Sequence, residues 1–178
     1  AINYLETMDR YVIDDVRRSD AEDICRIYNH YVENSVVTFE LKPVDVRTME
    51  ERLDAIAAEG HPCFVCRDEG RAVGFLWLHR WNWREAYEAT AEVTVYVAPG
   101  MDGRGIGSAL MERLMVHARE SGLHVLVSCI TLPNEASVAL HRKFGFVKVS
   151  HFNEVGRKFG GWHDVCHMQL VMEDSDML

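Results

Sequence analysis

The sequence predicts a layered α/β fold in which a mixed central sheet of about seven strands is flanked by about four helices. Three observations carry this. Strand-like and helix-like patterns alternate over residues 12–172 with no linker and no internal repeat. An alternating strand, Thr90–Val97, runs through Ala98-Pro99-Gly100 and the glycines at 103, 105 and 107 straight into an amphipathic helix over 106–121. Finally, 178 residues with 48% hydrophobic and 26% charged side chains have the size and composition of one globular domain.

The elements follow in order. Residues 12–17 read as a first strand, and Ser19 with Glu22 three positions on forms a capping-box start for a helix through about residue 33. Ile24, Ile27, Tyr28 and Tyr31 give that helix its apolar stripe. A second helix follows Pro43 and turns Met49, Leu53 and Ile56 inward. Strands over 63–67 and 72–80 meet at Asp68-Glu69-Gly70, a hairpin turn. After the strand Thr90–Val97 come the helix from Ile106, a strand over 125–130, a helix from Glu135 and two final strands near 146–154 and 163–172. Residues 12–172 are expected to form a single domain, with 1–11 an N-terminal extension and 173–178 an acidic tail.

A net charge of −9 argues against a nucleic-acid partner, because Lys and Arg are interspersed with acids and form no basic patch. An anionic ligand must then be gripped locally. No apolar run approaches the roughly 18–20 residues of a membrane span, and the expected compartment is the cytoplasm. Five cysteines in no framework spacing read as reduced thiols. Cys63 and Cys66 sit three apart in an apolar strand, and His163, Cys166 and His167 lack the spaced pairs of a zinc site, so no metal is expected.

The glycine turn is where the chemistry begins. Glycines at 103, 105 and 107 bare backbone N–H groups where a helix starts, so unpaired amides and the positive end of the helix dipole converge on one spot suited to a phosphate. A dinucleotide fold uses the same parts. A second element, Leu132-Pro133-Asn134-Glu135-Ala136-Ser137 opening a helix that ends at Lys143-Phe144-Gly145-Phe146, decides between them. Together the two elements resemble the acetyl-CoA-binding motifs of the GNAT (GCN5-related) N-acetyltransferases. The runs 86–92 and 94–97, Gly161-Trp162-His163-Asp164-Val165 and Tyr28-Asn29-His30-Tyr31 are similar to the branch that acetylates phosphinothricin and methionine sulfoximine.

The resemblance implies a mostly antiparallel sheet splayed in the middle and acetyl-CoA as cosubstrate. Val95, Tyr96 and Val97 would pair through their backbones with the pantetheine amides, while Gly103, Arg104, Gly105, Ile106, Gly107 and Ser108 hold the pyrophosphate. Asn134 would contact the pantetheine and Lys143 the cofactor phosphates. Glu92 matches the branch's acidic position and would act as the base that deprotonates the amine, with His141 a second proton-handling group. Phe39, Trp81, Arg84, Tyr87 and His163 would line the acceptor pocket, aromatic walls with a guanidinium for the carboxylate of a small amino acid.

The resemblance further implies a homodimer. Two alternatives stay open at this point, an acetyltransferase for peptide or protein N-termini and a non-catalytic acetyl-CoA sensor. One residue departs from the pattern: Asp102 stands where the family carries Gln or Arg, and a carboxylate beside a pyrophosphate is unfavourable unless it turns outward or caps the helix. Asp102→Gln is therefore expected to tighten acetyl-CoA binding modestly at low salt, which a titration of the dissociation constant checks.

Overall fold

A computed structural model describes residues 11–173. Apart from Tyr11 and Glu173, the expected N-terminal extension and acidic tail lie outside the described residues. Within these bounds there are seven strands: β1 (Tyr11–Asp15), β2 (Cys63–Asp68), β3 (Arg71–Arg80), β4 (Thr90–Val97), β5 (Val125–Leu132), β6 (Val147–Lys158) and β7 (Gly161–Val171). Four α-helices accompany them: α1 (Ala21–Asn34), α2 (Val46–Ala58), α3 (Ile106–Glu120) and α4 (Glu135–Lys143).

The strands form one sheet in the order β1-β2-β3-β4-β5-β7-β6. Pairs β1–β2, β2–β3, β5–β7 and β6–β7 are antiparallel, and β4–β5 is parallel. The parallel register covers only Thr90–Glu92 against Val125–Val127, although β4 continues to Val97 and β5 to Leu132. This is the mixed sheet that the sequence predicts, mostly antiparallel as the family resemblance implies.

The chain clusters into two compact units. One gathers the described residues up to His30 with Val44–Leu78 and Thr94–Leu114. In β2 the residues from Cys63 to Arg67 are all buried, and the first four, Cys63 to Cys66, read as a continuous apolar run rather than an alternation. Cys63 and Cys66 are core thiols, pushed up to about 12 and about 11 by burial, and among the described residues no metal-ligating cluster occurs. The turn to β3 places Glu69 and Gly70 both at positive φ, 49° and 81°, the backbone of a tight hairpin. On α2, Met49, Leu53 and Ile56 are buried as the spacing predicts, and Asp45 caps the helix by accepting from Thr48 N at 2.7 Å.

The start of α1 differs from the sequence reading. Ser19 is not its cap; a 3₁₀ turn, Arg18–Asp20, leads into the helix at Ala21. The reason is Asp20. Its carboxylate accepts from Arg17 N at 2.6 Å and is gripped by the buried Arg67 guanidinium, so the turn forms around an ion pair that local spacing cannot reveal. Farther along α1, the Asn29 amide accepts from Val44 N (2.9 Å) and donates to Val44 O (2.8 Å), which fastens the chain at both ends of the 30–43 excursion.

The second unit gathers Tyr31–Pro43, His79–Val93 and the described residues from Met115 onward. Strands β5, β7 and β6 make its sheet. Strand β6 runs to Lys158, beyond the expected end near 154, because a bulge between Phe152 and Gly156 lets pairing with β7 resume. Glu154 sits at φ 53° in that bulge. Asp164 pins it, accepting from Glu154 N at 2.8 Å and from His151 Nε2 at 2.8 Å, which gives the Trp162-His163-Asp164 run a structural duty. Among the described residues no helix is long and apolar enough to cross a membrane.

Candidate functional site

In the first unit, β4 ends in the glycine turn. Ala98 N donates to Val73 O at 2.8 Å and Met101 N to Ala98 O at 3.1 Å, folding the chain back toward α3. Gly103 and Gly105 adopt φ values of 72° and 78°, which L side chains rarely take, and a Cβ on either would meet nothing within 4 Å. The turn is thus open on the side that a β-carbon would fill, and α3 begins at the next residue, the buried Ile106. Gly74 on β3 makes this junction possible, since a Cβ there would stand 2.7 Å from Ile106 Cγ2 and 3.3 Å from Tyr96 O. Arg104 and Asp102 are exposed, and Gly107 and Ser108 lie half-buried in the first turn of α3.

Tyr96 is held between two rings. Phe75 lies 5.6 Å away, and Tyr28 of α1 meets it edge-on at 5.6 Å. Val95 and Val97 flank it, half-buried.

In the second unit, Glu92 is half-buried on β4, in parallel register with Val127 of β5. Its Oε2 lies 3.3 Å from His79 Nε2 at the end of β3. On β5, desolvation and then the charge of Glu92 push the Cys129 thiol up to about 11, although the residue as a whole is exposed, so the thiol is protonated at neutral pH. Asn134 accepts from Ser137 N at 3.1 Å and so caps α4. Lys143 at the other end of α4 lies over the Phe144 ring, 5.7 Å from its centre.

His141 is almost wholly enclosed, at 1% exposure, with its ring edge-on to Phe146 at 5.0 Å. Its Nδ1 stands 2.7 Å from the Ser137 carbonyl; a carbonyl only accepts, so Nδ1 carries the hydrogen and Nε2 is left as an acceptor. Among the described residues Nε2 has no hydrogen-bond partner. Burial pushes the imidazole below its usual range, against the smaller opposing effect of the Ser137 bond. The sign for stability follows. The unfolded chain takes up this proton first, so the contribution is intact above about pH 6.5 and is lost as pH falls below it. His141→Gln should therefore flatten the decline in urea stability between pH 7 and 5.5, by at most about 1.4 kcal/mol per pH unit.

The residues expected from the sequence to line an acceptor pocket fall into two groups. Trp81 and Tyr87 pack edge-on at 5.2 Å, and Arg84 lies over the exposed Trp83 ring at 5.2 Å. Phe39 and His163 form the other group, ring centres 6.4 Å apart. Phe39 presses on Gly156, where an added Cβ would fall 2.1 Å from Phe39 Cε2. His163 Nε2 donates to Lys158 O at 3.1 Å, and the buried Lys158 ammonium donates to Thr38 O at 2.8 Å, so the segment carrying Phe39 is tied to the β6–β7 hairpin. His79, Gly156 and Lys158 escape the sequence reading. Gly156 alone leaves a signal, as an isolated glycine in a strand pattern.

Comparison with known proteins bears on this arrangement. A model of the acetyltransferase (GNAT) domain matches residues 13–167. The chain belongs to the GNAT acetyltransferase family. This GNAT protein is 36% identical over 164 residues to the L-methionine sulfoximine/L-methionine sulfone acetyltransferase of Pseudomonas aeruginosa, covering 92% of this chain and 95% of that one. Among solved structures, a phosphinothricin acetyltransferase of the GNAT superfamily from Sinorhizobium meliloti in complex with acetyl-CoA superposes with TM-score 0.88 at 30% identity, covering 92% and 89%. The ribosomal-protein-alanine N-acetyltransferase of Brucella melitensis superposes with TM-score 0.88 at 34% identity, covering 90% and 99%. The GNAT domain and these relatives make the protein an N-acetyltransferase.

Proposed function

We propose that this N-acetyltransferase uses acetyl-CoA to acetylate the α-amino group of a small amino acid of the phosphinothricin or methionine sulfoximine type, by direct attack of the amine. Bound acetyl-CoA supplies the activated acetyl group. The residues fit it: the turn at Gly103 and Gly105 is open where a β-carbon would stand, and it leads into the N-terminus of α3, a cradle of amides for a pyrophosphate. Arg104, Ile106, Gly107 and Ser108 complete that cradle. Val95, Tyr96 and Val97 offer backbone groups to the pantetheine. The Asn134 Oδ1 serves as the helix cap, so its Nδ2 is the group offered to the pantetheine, and Lys143 serves the cofactor phosphates.

Glu92 removes a proton from the incoming ammonium, and the single observation that supports this is its position: a half-buried carboxylate at the start of the cofactor strand with an imidazole 3.3 Å away. His141, neutral with Nε2 as an acceptor, suits receiving a proton rather than giving one. Phe39, Trp81, Arg84, Tyr87 and His163 select the acceptor. Residues 12–172 act as one cytoplasmic enzyme domain with no metal and no nucleic-acid or membrane partner.

The homodimer reading draws support from the edge strand β6, which exposes Val147, Val149, Phe152 and Val155; sedimentation velocity at micromolar protein checks it. A second substrate reading rests on the Brucella melitensis neighbour, namely acetylation of a protein N-terminus. Release of CoA, followed with phosphinothricin, methionine sulfoximine, free amino acids and short peptides as acceptors, separates the readings. The expected result is turnover with the first two and little with peptides. Faster turnover of peptides reverses the order, and no turnover with any amine despite acetyl-CoA binding favours a sensor.

A further inference from the structure

The geometry points to His79 as the proton partner of Glu92, an inference that rests on the proposed role of Glu92 as the base. His79 Nδ1 lies 3.2 Å from the Arg80 carbonyl oxygen, which can only accept, so the ring hydrogen of a neutral His79 sits on Nδ1. That leaves Nε2 without a hydrogen, 3.3 Å from Glu92 Oε2. With Glu92 ionised and His79 neutral, two acceptors confront each other. A single proton between them satisfies both, whichever atom carries it.

The pair is therefore built to hold one proton and to pass it along. Imidazoles as a class are stronger bases than carboxylates by about two pKa units, so a proton captured by a carboxylate moves favourably to a neighbouring imidazole. Cys129 on β5 feels the charge of Glu92, its thiol already pushed up by desolvation, and the Arg80 guanidinium, next along β3, donates to Trp83 O at 3.5 Å. The His79 side chain is 35% exposed, against 24% for Glu92, so its ring offers the more open route to water.

The step balances as follows. Of the two protons that the ammonium group sheds on becoming an amide, one passes to Glu92, then to His79 Nε2, then to solvent. The other ends on the sulfur of released CoA. No oxidant or further reactant is needed. His79 thus resets Glu92 for each turnover, which makes it a positioning and relay residue behind the base.

The test is His79→Ala beside Glu92→Gln, assayed over pH 6–9 with and without imidazole. His79→Ala should lower kcat about tenfold near neutral pH, less than the roughly 100- to 10,000-fold that a positioned acid or base supplies, because water can partly replace a relay that stands behind the base. Its KM for acetyl-CoA should be unchanged, the deficit should shrink as pH rises, and added imidazole should restore the rate. Imidazole should not raise the lowered rate of Glu92→Gln. Wild-type kcat across the range in His79→Ala, or a loss that imidazole does not repair, overturns the relay while leaving the base assignment intact. An active Glu92→Gln overturns the base assignment itself. A readout independent of turnover is the ¹⁵N spectrum of the histidine rings in the free protein, where His79 should show the hydrogen on Nδ1 when neutral; the opposite tautomer also overturns the relay.

Discussion

Glu92→Gln is expected to lower kcat by about 100- to 1,000-fold with little change in the KM for acetyl-CoA, because the amine arrives as an ammonium and only a positioned base makes it a nucleophile. A loss of that size corresponds to about 3–4 kcal/mol in the barrier. The fold should hardly notice. The Glu92 and His79 side chains are 24% and 35% exposed, and a partly solvated pair of this kind contributes at most about 1 kcal/mol to stability. The two effects therefore separate cleanly by magnitude. Steady-state kinetics paired with a thermal melt checks both, and a fully active Glu92→Gln with an unchanged pH–rate profile removes Glu92 from the mechanism.

The strand that carries Glu92 was legible in the sequence because its signals are local: an alternating strand, a proline-glycine turn and a glycine-rich helix start all lie within twenty residues on one stretch of chain. The hairpin at Glu69–Gly70 and the inward face of α2 were legible for the same reason, since period and turn chemistry are local properties. What stayed hidden depends on contacts between distant segments. Nothing near Ser19 announces that Asp20 is claimed by Arg67, so the capping-box spacing predicted the wrong start for α1. Nothing in β3 announces that His79 meets Glu92, because that meeting needs β3 and β4 to be neighbours in the sheet. Gly156 makes room for Phe39, a residue more than a hundred positions away, and Lys158 is buried only because a carbonyl at Thr38 receives its ammonium. Strand β6 outlasted its expected end because Asp164, on the partner strand, stabilises the bulge that would otherwise have terminated pairing.

Asp20→Ala should cost about 3–5 kcal/mol, because it breaks a buried ion pair by removing one partner. Asp20 and Arg67 are 4% and 8% exposed, and two guanidinium nitrogens meet the two carboxylate oxygens. Removing the acid leaves a buried cation whose remaining partners are weaker, Asp14 Oδ2 at 3.3 Å and Asp15 O at 3.4 Å. At roughly 2–4 °C per kcal/mol for a chain of this length, the melting temperature should fall by roughly 6–20 °C. The neighbouring pair sets the contrast. Arg71 holds the Asp23 carboxyl down to about 2, yet its side chain is 68% exposed, so water can replace most of what Asp23 gives it. If the penalty in Asp20→Ala comes from the stranded charge, adding Arg67→Met should recover most of it. The double variant should still fall short by about 1 kcal/mol, the worth of the bond from Arg17 N that Asp20 alone accepts. A double variant no more stable than Asp20→Ala would mean that the carboxylate matters for shaping the Arg18–Asp20 turn and not for pairing a buried charge. That turn sets the entry of α1, the helix whose Tyr28 rests edge-on against Tyr96, so the distinction decides whether an ion pair or a turn holds this end of α1 against β4.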